Sequence, residues 1–428
     1  MTTTSDARPD TGGAQKGVRG DFPILSTGFD GVPLVYFDNA ATAHKPRAVL
    51  DAVTDYYSTT NSNVGRGYHR LGLASTERLE QARETVRAFI GAGSAEEVVF
   101  TSGTTAAINL VAETFGRDRV GPGDEVVVTE MEHNSNLLPW RRLCESSGAT
   151  LRVVPVGPAG HVELTDFVAA LGPRTRITAF AHVSNVLGTV NPVREMAAAA
   201  HQRQAVVVVD GAQAVPHRPV DVTDLGADFY CFSAHKLYGP MGVGVLYGRR
   251  ELLAGMRPYQ VGGGTVKGVS LTEPVSYLPA PARFEAGTPD VAGVIGLAAA
   301  VGYLGGIGWD AVRAHDARLV HAATEMLAAV DRVRVVGDPA RDPAGIVSVV
   351  VDGIHPYDVG GHLDRNGIAV RCGVHCASAF LDSMGLLGTV RISFGVYNTL
   401  AEVERLCAEL KAVEPGVWTE QHPTTRFL

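Results

Sequence analysis

Charge is scarce in this chain, and neither sign dominates it. Asp, Glu, Lys and Arg make up 19% of the 428 residues, and the formal net charge is −8. A nucleic-acid or anionic-membrane partner needs clustered Lys and Arg, so neither is expected. Cysteine is also scarce, with five residues at Cys144, Cys231, Cys372, Cys376 and Cys407. So few thiols in so long a chain make no disulfide framework. The odd count leaves at least one thiol free, which places the protein in a reducing cytoplasm. Neither a Walker lysine motif nor G-x-G-x-x-G occurs, which disfavours a nucleoside triphosphate or a dinucleotide. No Cys-x-x-Cys pair exists to complete a structural zinc set, so no metal is expected.

Long apolar runs are nearly absent as well. The one stretch that imitates a membrane span, 291–309, carries no charge but holds six glycines, and it reads as a buried helix plus loop. The first twenty residues are polar and rich in Gly and Pro, with no apolar centre. They fit neither a signal peptide nor a transit helix, and a disordered tail is expected over 1–21.

What is present is a long globular chain, 45% hydrophobic. It exceeds one ordinary core, so two units are expected: a large one over 36–290, and a smaller α+β one over 22–35 and 291–428. The stretch ADFYCFSAHKLYGP (227–240) organises the large unit. An apolar strand pattern ends in Ser233, Ala234, His235 and Lys236, followed by the punctuating Gly239-Pro240. A lysine just past a strand end, in an apolar pocket, loses part of its preference for the charged form. A neutral amine beside a hydroxyl and an imidazole suits a pyridoxal phosphate Schiff base. A solvated surface lysine is the plain alternative.

Other strand patterns deliver polar residues in the same way. EVVFT (97–101) runs into Ser102-Gly103-Thr104-Thr105 and a helix, which makes an anion site from free N–H groups and hydroxyls; an ordinary N-cap explains only one of these threonines. GDEVVVT (123–129) leads to His133, which could face an aromatic ring or only solvent. The 176–181 strand ends near Asn185. AVVVV (205–209) reads as a central parallel strand buried on both faces. It ends in Asp210, with Gln213 just beyond. A carboxylate there needs a partner, either a pyridinium nitrogen or a helix N-cap. The alternation of strand and helix implies a mostly parallel sheet with the ligand at its carboxyl edge. Asp38–Thr42 (DNAAT), small residues after PLVYF, would let the backbone approach that ligand.

Past residue 291 the alternation changes to a smaller α+β pattern. RCGVHCA (371–377) places Cys372, His375 and Cys376 together, and a nucleophilic cysteine with histidine and arginine nearby is one reading. Buried small hydrophobes are the other. Arg391 lies inside the apolar strand TVRISF (389–394), where it needs an anion. A substrate carboxylate or a structural ion pair would serve.

These motifs resemble the class V, fold-type I pyridoxal phosphate enzymes, and within them the group II (Suf-type) cysteine desulfurases and selenocysteine lyases. The likeness spans about Phe22 to Val413. It rests on YFDNAAT (36–42), SGTTAAINLVA (102–112), EMEHNSNLLPW (130–140), HVSNVLGT (182–189), DGAQ (210–213), FSAHKLYGPMGVGVLY (232–247), RFEAGTP (283–289), RCGVHCA (371–377) and RISFGVYNT (391–399). The resemblance implies an α/β fold with a mostly parallel seven-stranded sheet and a smaller C-terminal domain. It implies that Lys236 carries the cofactor and shuttles protons, that Asp210 pairs with the pyridinium nitrogen and that His133 stacks on the ring. Asn185 and Gln213 would bond the phenolic oxygen side. Thr104, Thr105, Ser233 and His235 would hold the phosphate, with Thr288 entering from the other subunit of a homodimer. Ala40, Asn185, Arg371 and Arg391 would meet the substrate, Arg391 holding its carboxylate. Cys376 would take the substrate's sulfur as a persulfide and release alanine, for delivery to a sulfur-acceptor protein.

The chain departs from the family pattern at three places. Gly65 stands where NVHRG has histidine, Val374 where GHHC has one, and Tyr357 where HPHD has one. The first two replacements are expected to slow turnover of plain cysteine and to enlarge the pocket for a bulkier substrate. The third is expected to weaken docking of a zinc-bearing scaffold. Two other readings stay open: a class V epimerase or aminotransferase in which Cys376 is incidental, and a non-catalytic scaffold that binds the cofactor.

Overall fold

The computed structural model describes residues 17–29, 31–65 and 67–418. Most of the expected tail, 1–16, lies outside the described residues, as does Arg66. The end of that tail is ordered instead. Residues 17–20 form a helical turn, Arg19 Nη1 donates to Glu402 Oε1 at 2.8 Å, and Asp21 accepts from the Tyr303 hydroxyl at 2.9 Å.

Seven strands make the main sheet: β1 (Val98–Thr101), β2 (Glu125–Thr129), β3 (Thr150–Val154), β4 (Thr175–Ala181), β5 (Val206–Asp210), β6 (Phe229–Ser233) and β7 (Gly244–Gly248). Their spatial order is β1-β7-β6-β5-β4-β2-β3. The pairs from β6 through β3 are parallel, while β7 runs antiparallel to both β6 and β1. The exception follows from chain length: only the short lysine turn joins β6 to β7, too little for a crossover helix. The VVVV run of β5 sits in the middle with its last four residues buried, as a strand covered on both faces requires.

Helices α1 (Arg47–Thr59), α2 (Arg70–Phe89), α3 (Thr104–Val111) and α4 (Val291–Ile307) belong to this unit. The glycine-rich span is one helix that ends at Gly308, whose φ is +85°. Val294, Leu297 and Val301 of α4 join the main core, so packing places residues 291–307 with the large unit rather than the smaller one. Glycine makes this approach possible. A Cβ on Gly296 would sit 2.5 Å from Pro240 Cγ, and one on Gly293 would sit 2.5 Å from Val243 Cγ2. The helix therefore closes directly on the loop that follows Lys236. Among the described residues no single helix is long and apolar enough to cross a membrane; only α4 with the next helix passes as a pair, bent by 80°.

The smaller unit contains α5 (Trp309–Ala328), β8 (Val333–Val336), β9 (Ile346–Val351), α6 (Pro356–Arg365), β10 (Arg371–Gly373), β11 (Thr389–Ser393) and α7 (Leu400–Lys411). Its antiparallel sheet has the order β8-β9-β11-β10, over a core with Leu319, Val347, Ile392 and Leu406. The segment after Leu34 ties the units together. Val35 and Tyr36 pair in parallel with Ile368 and Ala369, and Asp38 bridges to Ser393.

One buried ion pair crosses the large unit and ends in the RFEAGTP motif. Arg83, 2% exposed, donates to both oxygens of Glu285 at 2.6 and 2.9 Å. Glu285 also accepts from Phe100 N at 2.7 Å. Removing either partner would strand a buried charge, a loss of about 3–5 kcal/mol in comparable pairs.

Candidate active site

The carboxyl ends of the main-sheet strands converge on one cavity of about 230 Å³. It is lined by Ala40, Thr104, Thr105, His133, Asn185, Asp210, Gln213, Ser233, His235, Lys236, Arg371 and Arg391, all of them expected from the sequence. Lys236 ends a single turn, Ala234–Lys236, directly after β6. Burial pushes its ammonium down to about 8, and the Asp210 carboxylate opposes that shift. The half-buried amine therefore has a substantial neutral fraction near physiological pH, as a nucleophile toward an aldehyde needs.

Asp210 closes β5 and is buried. Burial raises its pKa, Lys236 opposes the rise, and Ala212 N donates to Oδ1 at 2.9 Å. His133 follows β2, and its Nδ1 accepts from Ser135 N at 3.0 Å. Burial first, and then the Lys236 charge, bring its pKa down to about 4, so the imidazole is neutral. Gln213 Nε2 donates to Ala40 O at 2.7 Å, while its buried Oε1 has no partner.

A cluster of donors forms the other wall. Gly103 precedes α3 with φ +152°, and the Ser233 hydroxyl accepts from Thr104 N at 2.8 Å and bonds Thr104 Oγ1 at 2.7 Å. Thr105 Oγ1 bonds Ser135 Oγ at 2.7 Å. Burial, then Lys236, lower His235 to about 4. Hydroxyls, a neutral imidazole and the N–H groups at the start of α3 suit a phosphate dianion. With a lysine amine, a buried carboxylate awaiting a cation and a neutral imidazole beside it, these residues fit pyridoxal phosphate.

The substrate side is built by the smaller unit. Arg391, 3% exposed, donates from Nη1 to Asn185 O at 2.9 Å and from Nη2 to Asp38 Oδ1 at 3.1 Å. Burial pulls its pKa down to about 10, and Asp38 opposes this. Arg371 lies opposite Arg391 in the β10–β11 register.

The thiol loop is locked to the cofactor side. Asn134 N donates to Cys376 O at 2.7 Å, and Asn185 Nδ2 donates to His375 O at 2.8 Å. His375 and Cys376 both adopt left-handed backbone, with φ +51° and +55°. Such strain in consecutive non-glycine residues persists only where surrounding bonds impose it. Cys376 is partly exposed and lies near both Lys236 and Arg391. His375 does not supply the cation expected beside the thiol. Burial, then the two arginines, push its pKa well down, and Nε2 is engaged with Thr389 Oγ1 at 2.7 Å. Cys372 faces away: a Cβ on Gly360 of α6 would lie 2.5 Å from its sulfur. Burial pushes that thiol up to about 12.

Other expected positions lie apart from the cavity. Thr288 is exposed and contributes nothing to the cavity lining of its own chain. Val374 packs against the main core, and Gly65 is exposed at φ +84° with open space where a Cβ would stand. Neither residue lines this chain's cavity. Tyr357 lies behind the thiol strand, its hydroxyl 3.0 Å from a Cβ position on Gly373.

Sequence reasoning missed three contributors. Ser135, within the motif that flagged His133, lines the cavity. Asp38 pairs with Arg391. Glu132 is buried beneath His133 and accepts from Thr129 Oγ1, from Asn136 Nδ2 at 2.6 Å and from Ala181 N at 3.0 Å. It thereby joins the ends of β2 and β4. Among the described residues no three His, Cys, Asp or Glu side chains gather as a metal site.

Comparison with known proteins agrees with this geometry. The family model for aminotransferase class-V matches residues 35–406. A cysteine desulfurase of Klebsiella pneumoniae is 47% identical over 396 residues, covering 92% of this chain and 97% of that protein. A probable cysteine desulfurase of Vibrio cholerae is 46% identical over 398 residues, covering 93% of this chain and 98% of that protein. The solved apo structure of a cysteine desulfurase from Thermococcus onnurineus superposes with a TM-score of 0.88 at 39% identity, covering 96% of this chain and 99% of that one.

Proposed function

The chain belongs to the class-V aminotransferases, and within them to the cysteine desulfurases, and we propose that it converts L-cysteine to L-alanine through a persulfide on Cys376. The carrying observation is the thiol loop: Asn134 N bonds the Cys376 carbonyl and Asn185 Nδ2 bonds the His375 carbonyl, which ties the loop to the segments that carry His133 and Asn185. Bound through Lys236, pyridoxal phosphate would supply an electron sink for the substrate's α-carbon. Asp210 would pair with its ring nitrogen, His133 would lie beside the ring, Asn185 and Gln213 would bond its phenolic side, and Thr104, Thr105, Ser233 and His235 would hold its phosphate. Arg391 and Arg371 orient the substrate carboxylate. Lys236 Nζ moves the proton at the α-carbon. The Cys376 thiolate attacks the substrate sulfur: an S–S bond forms, the C–S bond breaks, and its electron pair returns to carbon, which is protonated to alanine. A sulfur-acceptor protein then removes the outer sulfur.

The five thiols, free in the structure, suit a reducing cytoplasm. The position of Thr288 outside its own cavity suits a two-fold homodimer in which it completes the neighbour's phosphate site. Two measurements test this reading. Purified protein holding pyridoxal phosphate should release alanine from L-cysteine, and light scattering should give twice the chain mass. A cofactor-loaded protein that releases no alanine would refute the activity, and an active monomer would refute the shared site.

A further inference from the structure

The thiol loop is gripped by two segments that leave neighbouring strands of the main sheet. Asn134, beyond the end of β2, donates from its backbone N–H to Cys376 O at 2.7 Å. Asn185, beyond the end of β4, donates from Nδ2 to His375 O at 2.8 Å. The two acceptors are the residues held in left-handed backbone. The shape of the loop therefore depends on how these two segments stand to each other. The β2–β4 ladder does not reach that far, because its register ends at Val128 and Ala179. Beyond it, a buried carboxyl spans the gap. Glu132, 1% exposed, accepts through Oε1 from Ala181 N at 3.0 Å and from Thr129 Oγ1, and through Oε2 from Asn136 Nδ2 at 2.6 Å. Trp140 orients Asn136 in turn, donating from Nε1 to its Oδ1 at 3.0 Å. Asn191 adds a second link, from Nδ2 to Ala181 O at 2.7 Å and to Met131 Sδ at 3.3 Å, but a thioether is a weak acceptor.

We propose that Glu132 is a positioning residue for the Cys376 thiol: by joining the segments that carry Asn134 and Asn185, it fixes the loop that presents the sulfur acceptor. Glu132 does not line the cavity and acts only through these segments. The role of Cys376 as acceptor rests on the proposed function; the hold on its loop does not. Glu132→Gln keeps the volume and breaks the set. Its amide NH2 would face Ala181 N in one orientation and Asn136 Nδ2 in the other, so a donor meets a donor either way. The carboxyl avoids this in both protonation states. Burial pushes it up to about 8, and the Thr129 hydroxyl can accept the hydrogen when Oε1 carries one. Asn136→Asp supplies what Glu132→Gln lacks. With both substitutions the new amide donates to the new carboxylate, which still accepts from Trp140 Nε1, and Ala181 N keeps its acceptor.

Two readouts on the cofactor-loaded protein test this. One is the rate at which iodoacetamide alkylates Cys376, followed by peptide mass; the other is steady-state alanine release from L-cysteine. In Glu132→Gln the loop opens locally, and Cys376 alkylation should rise about threefold or more while that of Cys372 stays at the wild-type rate. The kcat should fall about tenfold or more with KM within about threefold, because a misplaced acceptor impairs transfer and not substrate binding. Glu132→Gln with Asn136→Asp should return both readouts to within about twofold of wild type, as a restored bond set requires. A smaller rise at Cys376, an unchanged kcat, or a parallel rise at Cys372 overturns the proposal, the last because it marks general loosening. Where Glu132→Gln does not fold, the double variant decides: wild-type values support the proposal, and a folded double variant that departs from them overturns it. A wild type that releases no alanine, with the alkylation difference intact, counts against the desulfurase reading and not against the role of Glu132.

Discussion

Replacing Cys376 with serine should stop sulfur transfer while leaving the cofactor in place. The side chain stands on a loop whose carbonyls, not its sulfur, make the bonds to Asn134 and Asn185. The exchange therefore changes one atom and spares the scaffold. A hydroxyl is a far weaker acceptor of sulfur than a thiolate, and the loss in alanine release should be about 10³-fold or more. The visible band, and its response to added cysteine, should persist. Cys372→Ser is the internal control. That sulfur faces α6, away from the cavity, and turnover should stay within about twofold of wild type for a substitution outside the reacting group. If both variants turn over like wild type, the persulfide mechanism is wrong, and the epimerase or aminotransferase reading gains.

The second large effect is at Lys236. Lys236→Ala removes the only lysine that lines the cavity among the described residues, so the covalent link to the cofactor and the visible band should both vanish. Alanine release should drop by about 10⁴-fold or more, because the same amine is the proton carrier. The depressed pKa of the amine sets a further, graded expectation. Burial holds it near 8, and Asp210 resists the shift. The neutral amine is the nucleophile, so its fraction grows as pH rises through that value. Reloading of apoprotein with pyridoxal phosphate should therefore accelerate between about pH 7 and 9 and then level off, whereas an unshifted lysine would keep accelerating beyond about pH 10. Stopped-flow absorbance across that range distinguishes the two. A rate independent of pH between 7 and 9 would contradict the neutral-amine account.

Much of the cavity was legible because its residues sit where strand patterns end. Asp210, Lys236, His133 and Asn185 each follow an apolar run closed by small or polar residues, and strands of a parallel sheet all end on the same edge. Motif order then supplied roles that spacing alone left open. Pairings between distant parts of the chain were not legible. Asp38 and Arg391 meet across 353 positions, and Arg83 and Glu285 across 202. A single acidic residue carries no local sign of such a partner. Glu132 lay inside a recognised motif, yet its burial between β2 and β4 depends on which strands neighbour each other in space. The thiol loop misled in another way. Spacing put His375 beside two cysteines and suggested a cation, but burial keeps that imidazole neutral. The glycine-rich helix was read correctly as buried. Its place against Pro240 and Val243 follows only from the close approach that Gly293 and Gly296 permit.

The account turns on one covalent species, and intact-protein mass spectrometry followed by peptide mapping tests it most directly. The cofactor-loaded protein is incubated with L-cysteine, without a sulfur acceptor, and quenched with an alkylating agent. The account predicts one alanine released per chain in the first turnover and one added sulfur atom on the peptide that contains Cys376. Alanine formed with no added sulfur on that peptide, or with the sulfur carried on Cys372, would contradict it.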